Sequence, residues 1–321
     1  ARDAGADVAI VDQGPLGGLC ILRGCMPTKT ILRSAEIMAL MKRAREFGLN
    51  PVTAQADLSA IVDRKNRLVQ EFADYRIAAL RDPRFTLYES RAEFLSPHDI
   101  RAGEVQIRGG AFVIATGSSA ANVAIPGLDE AGYLTSDEML DVRRPPVSLL
   151  VLGGGLVAVE FAQFFARIGT KVTMLQRGTT LLSDMDEDIG QALAGVFRDE
   201  GIDVITGVSF QRVTSTPSEK TVHFLQGGVV QTRSAETILQ ALGRRPNLKG
   251  LNLEAAGVRV VDGRLVVGGD LRTSQRHIFA VGDVNDLTPI VHLAIQQGET
   301  AALNATHPNE PARVIDHVLD T

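Results

Sequence analysis

Two patterns of apolar positions alternate along the chain: short unbroken runs that read as buried strands, and longer stretches with apolar residues three and four apart that read as helices. Residues 7–12 (DVAIVD) predict a strand ending in an acid, followed by two glycine-rich turns. A helix is expected over 25–47, where Ile31, Ile37, Met38 and Met41 fall near helical spacing, and a second over 58–81, stopped by Asp82-Pro83. Strands follow at 85–88, 92–95, 104–107 and 111–116, the last running into Gly117. Breaker-rich connections at Pro126-Gly127 and 143–146 come next, the second marking the approach to another domain. Residues 147–176 then read as strand, glycine turn (153–155), helix (156–169) and strand (172–176), with a helix at 186–200 after an acidic stretch. Beyond it lie β-rich segments at 202–213 and 221–224, strands at 237–241, 264–267 and 278–283, and a helix over 290–304. This alternation predicts an α/β fold with parallel, doubly wound sheets, two of them.

Composition narrows the class. Of 321 residues, 45% are apolar and 22% charged, enough for a full core and too apolar for wholesale disorder. The formal charge is -5 and no dense Lys/Arg block occurs, which argues against a nucleic-acid or anionic-membrane partner. The longest apolar stretch, 147–159, contains three glycines and stops at Glu160, so no membrane span is expected. A soluble, cytoplasmic protein is the resulting expectation. The chain opens on ARDAGADVAIVD, the tail of a helix then a strand, and closes on ARVIDHVLDT, the start of an element, so both ends read as cut.

The turn Gly153-Gly154-Gly155-Leu156-Val157-Ala158 matches G-x-G-x-x-A between an apolar strand and a helix. Gly153 permits the tight turn, Gly155 lets a pyrophosphate approach the backbone, and Ala158 allows close helix–strand packing. The bland alternative is an ordinary glycine-rich connection. Cys20 and Cys25, the only cysteines, are spaced C-x4-C in GGLCILRGCMPTK. Two such residues are either unrelated core thiols or a redox pair. In one continuous helix their Cα atoms would stand about 8–9 Å apart, so pairing requires Cys20 to lie in an irregular turn ahead of the helix. Gly17, Gly18 and Gly24 supply that irregularity, and a helix N-terminus would lower a thiol pKa.

With FVIATGS (112–118), LGGGLVAVE (152–160), ALGRRPN (241–247) and TSQRHIFAVGD (273–283), the cysteine segment resembles, in order, the motifs of the FAD-dependent pyridine nucleotide–disulfide oxidoreductases. The resemblance implies two Rossmann-like dinucleotide-binding domains, the nicotinamide-nucleotide domain inserted in the FAD domain. The implied boundaries are 1–118 and 247–308 for FAD, 119–246 for NAD(P), and 309–321 for the start of a C-terminal dimerisation domain. It further implies that Cys25 is the electron-accepting, charge-transfer thiol and Cys20 the interchange thiol. Lys29, one turn beyond Cys25, would stabilise charge on the flavin, with Glu160 as its partner. Asp12, Gly18, Thr116, Gly117, Asp283, His292 and Ala294 are implied to bind FAD, with Asp12 on the adenosine ribose and Asp283 on the ribityl chain. Gly153, Gly155, Ala158, Glu160, Gln176, Arg177 and Gly243 are implied to bind NAD(P).

At the end of the strand after the glycine turn, where an NAD enzyme carries an acid, stand Gln176 and then Arg177. A neutral residue followed by a cation favours a 2′-phosphate, so NADPH is the expected nucleotide, with NADH possible. The expected function is electron transfer between NAD(P)H, FAD and a Cys20–Cys25 disulfide, dihydrolipoamide dehydrogenase-like. A small-molecule disulfide or dithiol is the expected substrate, and a homodimer the expected assembly. The alternatives are a mercuric reductase-like or other NADPH-dependent reductase, or a truncated non-catalytic nucleotide-binding or redox-sensing remnant. The family's first strand and G-x-G-x-x-G would precede Ala1, and its acid–base His–Glu pair would follow the chain. His307-Pro308-Asn309-Glu310 reads only as a lookalike of that His-Pro segment.

Overall fold

The structure, a computed structural model, describes residues 1–50, 52–309 and 312. The two long N-terminal helices form at Cys25–Lys42 and Leu58–Leu80. The second begins where the Asp57 carboxylate accepts from the Ala60 backbone N–H at 3.0 Å, an N-terminal cap that satisfies one of the free helix donors. The glycine-turn unit is observed as strand Ser148–Leu152, helix Leu156–Arg167 and strand Lys171–Gln176. The strands that went unread in the sequence include Asp99–Ala102 and Val229–Ala235. The second is closed onto Lys220–Gln226 by Gly227-Gly228, both at positive φ (59° and 80°), the geometry of a two-residue hairpin turn. Most of the expected domain segment 309–321 lies outside the described residues.

The chain divides into two compact units. One comprises Ala1–Leu19, Ala73–Ser119 and the chain from Arg244 onward; the other comprises Cys20–Phe72 and Ala120–Gly243. Compactness therefore groups the cysteine segment and its helices with the glycine turn, whereas the sequence reading drew a boundary at 118. The physical reason is packing: Ile31, Ala35, Leu58 and Val62 share one buried cluster with Phe161, Phe164 and Phe165 of the glycine-turn helix.

In this second unit a four-stranded parallel sheet runs in the order Asp203–Thr206, Lys171–Gln176, Ser148–Leu152, Thr237–Gln240. Its runs are apolar without alternation because both faces are covered. Leu149, Val151, Met174 and Leu239 meet the helical cluster. Leu150, Leu152, Leu175 and Ile238 face Val213, Val222 and Phe224 of an antiparallel sheet, Val208–Ser215, Lys220–Gln226 and Val229–Ala235. The three helix phenylalanines are each at most 1% exposed, and each contributes about 2–3 kcal/mol of burial.

The first unit carries two parallel pairs, Ala9–Val11 with Thr86–Tyr88 and Ile278–Ala280 with Phe112–Ile114. An antiparallel sheet, Ala92–Ser96, Asp99–Ala102 and Val105–Arg108, lies in the same unit. Phe94, Ile114, Leu253, Ile278 and Ala280 form its main core, and helix Val291–Thr306 docks through Ala301 beside Phe279 and Val281. No helix among the described residues is long and apolar enough to cross a membrane.

Candidate functional site

In the second unit, Cys20 sits in the short helix Leu19–Leu22, and Cys25 is the first residue of Cys25–Lys42. The break at Arg23-Gly24 separates the two helices, so the two cysteines do not share one continuous helix despite five residues of separation. Thr28 fastens the second helix start by donating its hydroxyl to the Gly24 carbonyl at 2.7 Å. Both cysteines are half-buried free thiols. Burial first, then the hydrogen bond and charge of Cys25, push the Cys20 thiol up to about 11, against a smaller pull downward from the Cys25 backbone and Lys29. The expected lowering by a helix N-terminus therefore does not operate at Cys20. This residue precedes the long helix, and desolvation outweighs the pull of the Cys25 backbone and Lys29.

Lys29, one helical turn past Cys25, donates to a Glu160 carboxylate oxygen at 2.5 Å. The pair lies at the edge of the helix–helix contact, with side chains 62% and 25% exposed. It is the cation–carboxylate pair that the sequence reading anticipated.

The glycine turn behaves as its spacing requires. Gly153 has φ +120°, and a Cβ there would stand 2.3 Å from the Ala241 carbonyl oxygen, so only glycine fits. A Cβ on Gly155 would meet nothing within 4 Å, which leaves room for a phosphate group at the start of the 12-residue helix. Ala158 is fully buried between helix and sheet. Gln176 points inward: it is 8% exposed, a Cβ on Gly154 would lie 2.9 Å from its side chain, and its amide reaches the Thr180 carbonyl at 3.3 Å. Arg177 is exposed and makes no ion pair among the described residues. Gly243, at φ +114°, accepts from the Ala121 N–H through its carbonyl.

In the first unit, Asp12 ends its strand as expected, and one carboxylate oxygen accepts from the Gly14 N–H at 2.8 Å. Gly18 has positive φ, at 81°. Thr116 and Gly117 are clasped by Asn247: Thr116 donates its hydroxyl to the Asn247 carbonyl at 2.8 Å, and the Gly117 carbonyl accepts from the Asn247 N–H at 2.9 Å. Asp283 lies in the helical turn Gly282–Asn285 and accepts from the Ser118 hydroxyl at 2.6 Å. His292 is exposed on the first turn of Val291–Thr306, and Ala294 lies beneath Gly282.

Sequence reasoning missed several polar residues. Ser118, 8% exposed, also accepts from Arg244 Nε at 2.8 Å, fixing the hydroxyl that orients Asp283. Gln297, 4% exposed, accepts from both Gly282 N–H and Asn285. Lys65, 3% exposed, donates to Asp141 and to the Leu140 carbonyl. Its signal was present: Leu58, Val62 and Lys65 share one helical stripe, where a charge among apolar positions marks a buried ion pair. No group of three or more potential metal ligands occurs among the described residues.

Comparison with known proteins bears directly on these features. Residues 1–298 match the family model described as pyridine nucleotide-disulphide oxidoreductase. A mercuric reductase of Bacillus cereus is 36% identical over 302 residues, 94% of this chain and 48% of that protein. A dihydrolipoyl dehydrogenase of Acholeplasma laidlawii is 32% identical over 306 residues, 94% of this chain and 89% of that protein. The copper(II) complex of the HOCl-induced flavoprotein disulfide reductase RclA from Escherichia coli superposes with a TM-score of 0.83 at 29% identity, covering 94% of this chain and 66% of that one. The chain spans about half the length of the mercuric reductases it matches. With the glycine turn, the paired cysteines and the Lys29–Glu160 pair in one unit and this match over most of its length, the chain belongs to the pyridine nucleotide-disulphide oxidoreductase family, whose members use FAD and NAD(P)H.

Proposed function

We propose that the protein is an NADPH-dependent flavoprotein reductase that transfers electrons to a small-molecule disulfide through Cys20 and Cys25. The carrying observation is that Cys25 opens the helix that presents Lys29 to Glu160, with Cys20 in the short helix immediately before it. FAD held at this site would supply the hydride acceptor for the nicotinamide and the two-electron link to the cysteine pair. Cys25 is assigned the flavin-side thiol and Cys20 the thiol that attacks substrate. Lys29, held by Glu160, supplies the cation that offsets negative charge on the flavin. Asp12, Gly18, Thr116, Gly117, Asp283, His292 and Ala294 are assigned to FAD. Gly153, Gly155, Ala158, Gln176, Arg177 and Gly243 are assigned to the nucleotide, whose 2′-phosphate pairs with Arg177. Gln176 acts indirectly, by filling the space under Gly154.

On this reading the second compact unit carries the thiols and the nicotinamide nucleotide. The assembly is a homodimer and the compartment the cytoplasm. A second reading follows from the mercuric reductases at up to 36% identity: the acceptor is a mercuric ion, reduced by the same two electrons.

Cys25→Ser tests the main reading. NADPH-driven reduction of a disulfide such as lipoamide should disappear, while anaerobic bleaching of the flavin by NADPH survives. Equal loss of both would overturn the assigned order of electron flow. A wild type that reduces mercuric ion and leaves disulfides untouched selects the second reading.

A further inference from the structure

Arg23 lies in the turn that joins the two thiol-bearing helices, three residues after Cys20 and two before Cys25. Its guanidinium donates to one Asp141 carboxylate oxygen at 2.5 Å and to the Asp137 carbonyl at 3.2 Å. The other Asp141 oxygen accepts from Lys65 at 2.8 Å, and Lys65 also donates to the Leu140 carbonyl at 2.9 Å. The Lys65 side chain is 4% exposed, whereas Arg23 and Asp141 are 45% and 47% exposed. A buried ammonium carries a desolvation cost that an apolar residue would avoid, so a lysine at this place is not explained by stability alone. What it does accomplish is visible: it pins one oxygen of Asp141, and so orients the other toward the inter-thiol turn.

That turn must move when the thiols are oxidised. Cys20 and Cys25 are free thiols here, while a disulfide holds its two sulfurs about 2.0 Å apart. Charge-assisted hydrogen bonds are sensitive to displacements of this size. An interaction biases an equilibrium only by the difference between its strengths in the two states. The Arg23 tie is made in the dithiol state.

We propose that Asp141, anchored by the buried Lys65, is a positioning residue that grips the inter-thiol turn through Arg23 and biases the Cys20–Cys25 pair toward the dithiol. The inference rests on the redox-pair reading above and adds a determinant of its poise. It acts by geometry, since the carboxylate of Asp141 lies between two cations and touches neither sulfur.

The test is equilibration of the protein with mixtures of oxidised and reduced glutathione, followed by acid trapping, alkylation and mass measurement. Each oxidation removes one hydrogen from Cys20 and one from Cys25, forms the S–S bond, and converts one glutathione disulfide into two glutathione thiols. Arg23→Leu leaves the Lys65–Asp141 pair intact and alters a half-exposed residue, so the fold is kept. It should shift the equilibrium constant toward the disulfide by about threefold to fivefold, the scale of losing an exposed ion pair in one state. Asp141→Asn should shift it in the same direction, and Arg23→Lys should restore most of the wild-type value. An unchanged constant in Arg23→Leu would overturn the proposal. So would opposite shifts in Arg23→Leu and Asp141→Asn, because freeing a cation and deleting one have opposite electrostatic effects on a thiolate. A wild type that forms no Cys20–Cys25 disulfide at any glutathione ratio would remove the redox-pair reading, and this inference with it.

Discussion

Lys29 and Glu160, 131 residues apart in sequence, meet at 2.5 Å because the helix that starts at Cys25 packs along the helix that starts after Gly155. The cation and its counter-charge are thereby fixed one turn from a thiol. Ile31 and Ala35 bury the face beside Lys29, and Phe161 and Phe164 the face beside Glu160, so the pair is left at the rim.

Glu160→Ala should accordingly change little in stability. With Lys29 62% exposed, the pair contributes no more than about 1 kcal/mol. Flavin reduction by NADPH should nevertheless slow by about tenfold, and a double change with Lys29→Met should be non-additive. Strictly additive rates in stopped-flow reduction would break the functional pairing.

The two outer glycines of the turn should fail differently. Gly153→Ala places a Cβ 2.3 Å from the Ala241 carbonyl oxygen at φ +120° and should cost about 2 kcal/mol or more, read as a drop in Tm. At Gly155 a Cβ meets nothing and φ is -80°, so Gly155→Ala should fold normally yet bind NADPH more weakly. Normal binding of NADPH by a folded Gly155→Ala protein would remove the phosphate from this turn.

Nucleotide preference should depend on Arg177 and not on polar contacts from Gln176. Arg177→Ala should lower the NADPH/NADH ratio of kcat/KM by about tenfold, as expected for one lost phosphate pairing. Gln176→Ala should act through packing, because its side chain fills the floor beneath Gly154 and Gly178. An unchanged ratio in Arg177→Ala would sink the assignment.

Cys20 should be a sluggish thiol. Held at about 11 against an ordinary 9.0, it keeps its proton in the folded state at pH values where an unfolded chain has lost it. Its contribution to stability is complete below pH 9 and is lost as pH rises toward 11. Its alkylation by iodoacetamide should therefore climb across that window and lag behind an unfolded control. Cys25→Ala removes the thiol's hydrogen bond and charge and should shift the Cys20 profile to lower pH, without abolishing the effect of burial. Titration of Cys20 at an ordinary value in the native protein would contradict the burial observed here.

Ser118→Ala should loosen Asp283. The hydroxyl donates to Asp283 and accepts from Arg244, and its removal leaves both without that contact. The expected cost is about 1–3 kcal/mol in denaturant unfolding, together with weaker FAD retention. Full FAD retention in this variant would argue against the role given to Asp283.

Local chemistry was legible wherever it depends on neighbours along the chain. The unbroken apolar strand at Ser148–Leu152, the G-x-G-x-x-A turn and the small Ala158 specify one strand–turn–helix geometry through backbone sterics alone. The glycines of the cysteine segment likewise announced a break before the long helix, although Cys20 lies in a short helix, Leu19–Leu22, and not in the irregular turn expected for it. The Gly227-Gly228 hairpin was written just as plainly and was overlooked, because its strand Val229–Ala235 is half-exposed and lacks a continuous apolar run.

Pairings between distant positions were another matter. Burial and cross-chain contact are properties of the folded neighbourhood, and no periodicity carries them. Family resemblance, and no pattern of the residues themselves, linked Lys29 to Glu160; the packed helices are what bring the two together, and the filled space under Gly154 is what turns Gln176 inward. The same holds for Cys20, whose thiol rises because burial and the neighbouring Cys25 outweigh the pull of the Cys25 backbone and Lys29. The amino-acid order by itself determined the turns, the strands and the candidate thiols, since these follow from φ/ψ limits and hydrophobic spacing. The tertiary structure decided which charges are buried and which meet, since Lys65, Asp141 and Arg23 lie up to 118 residues apart and are neighbours only once the core has formed.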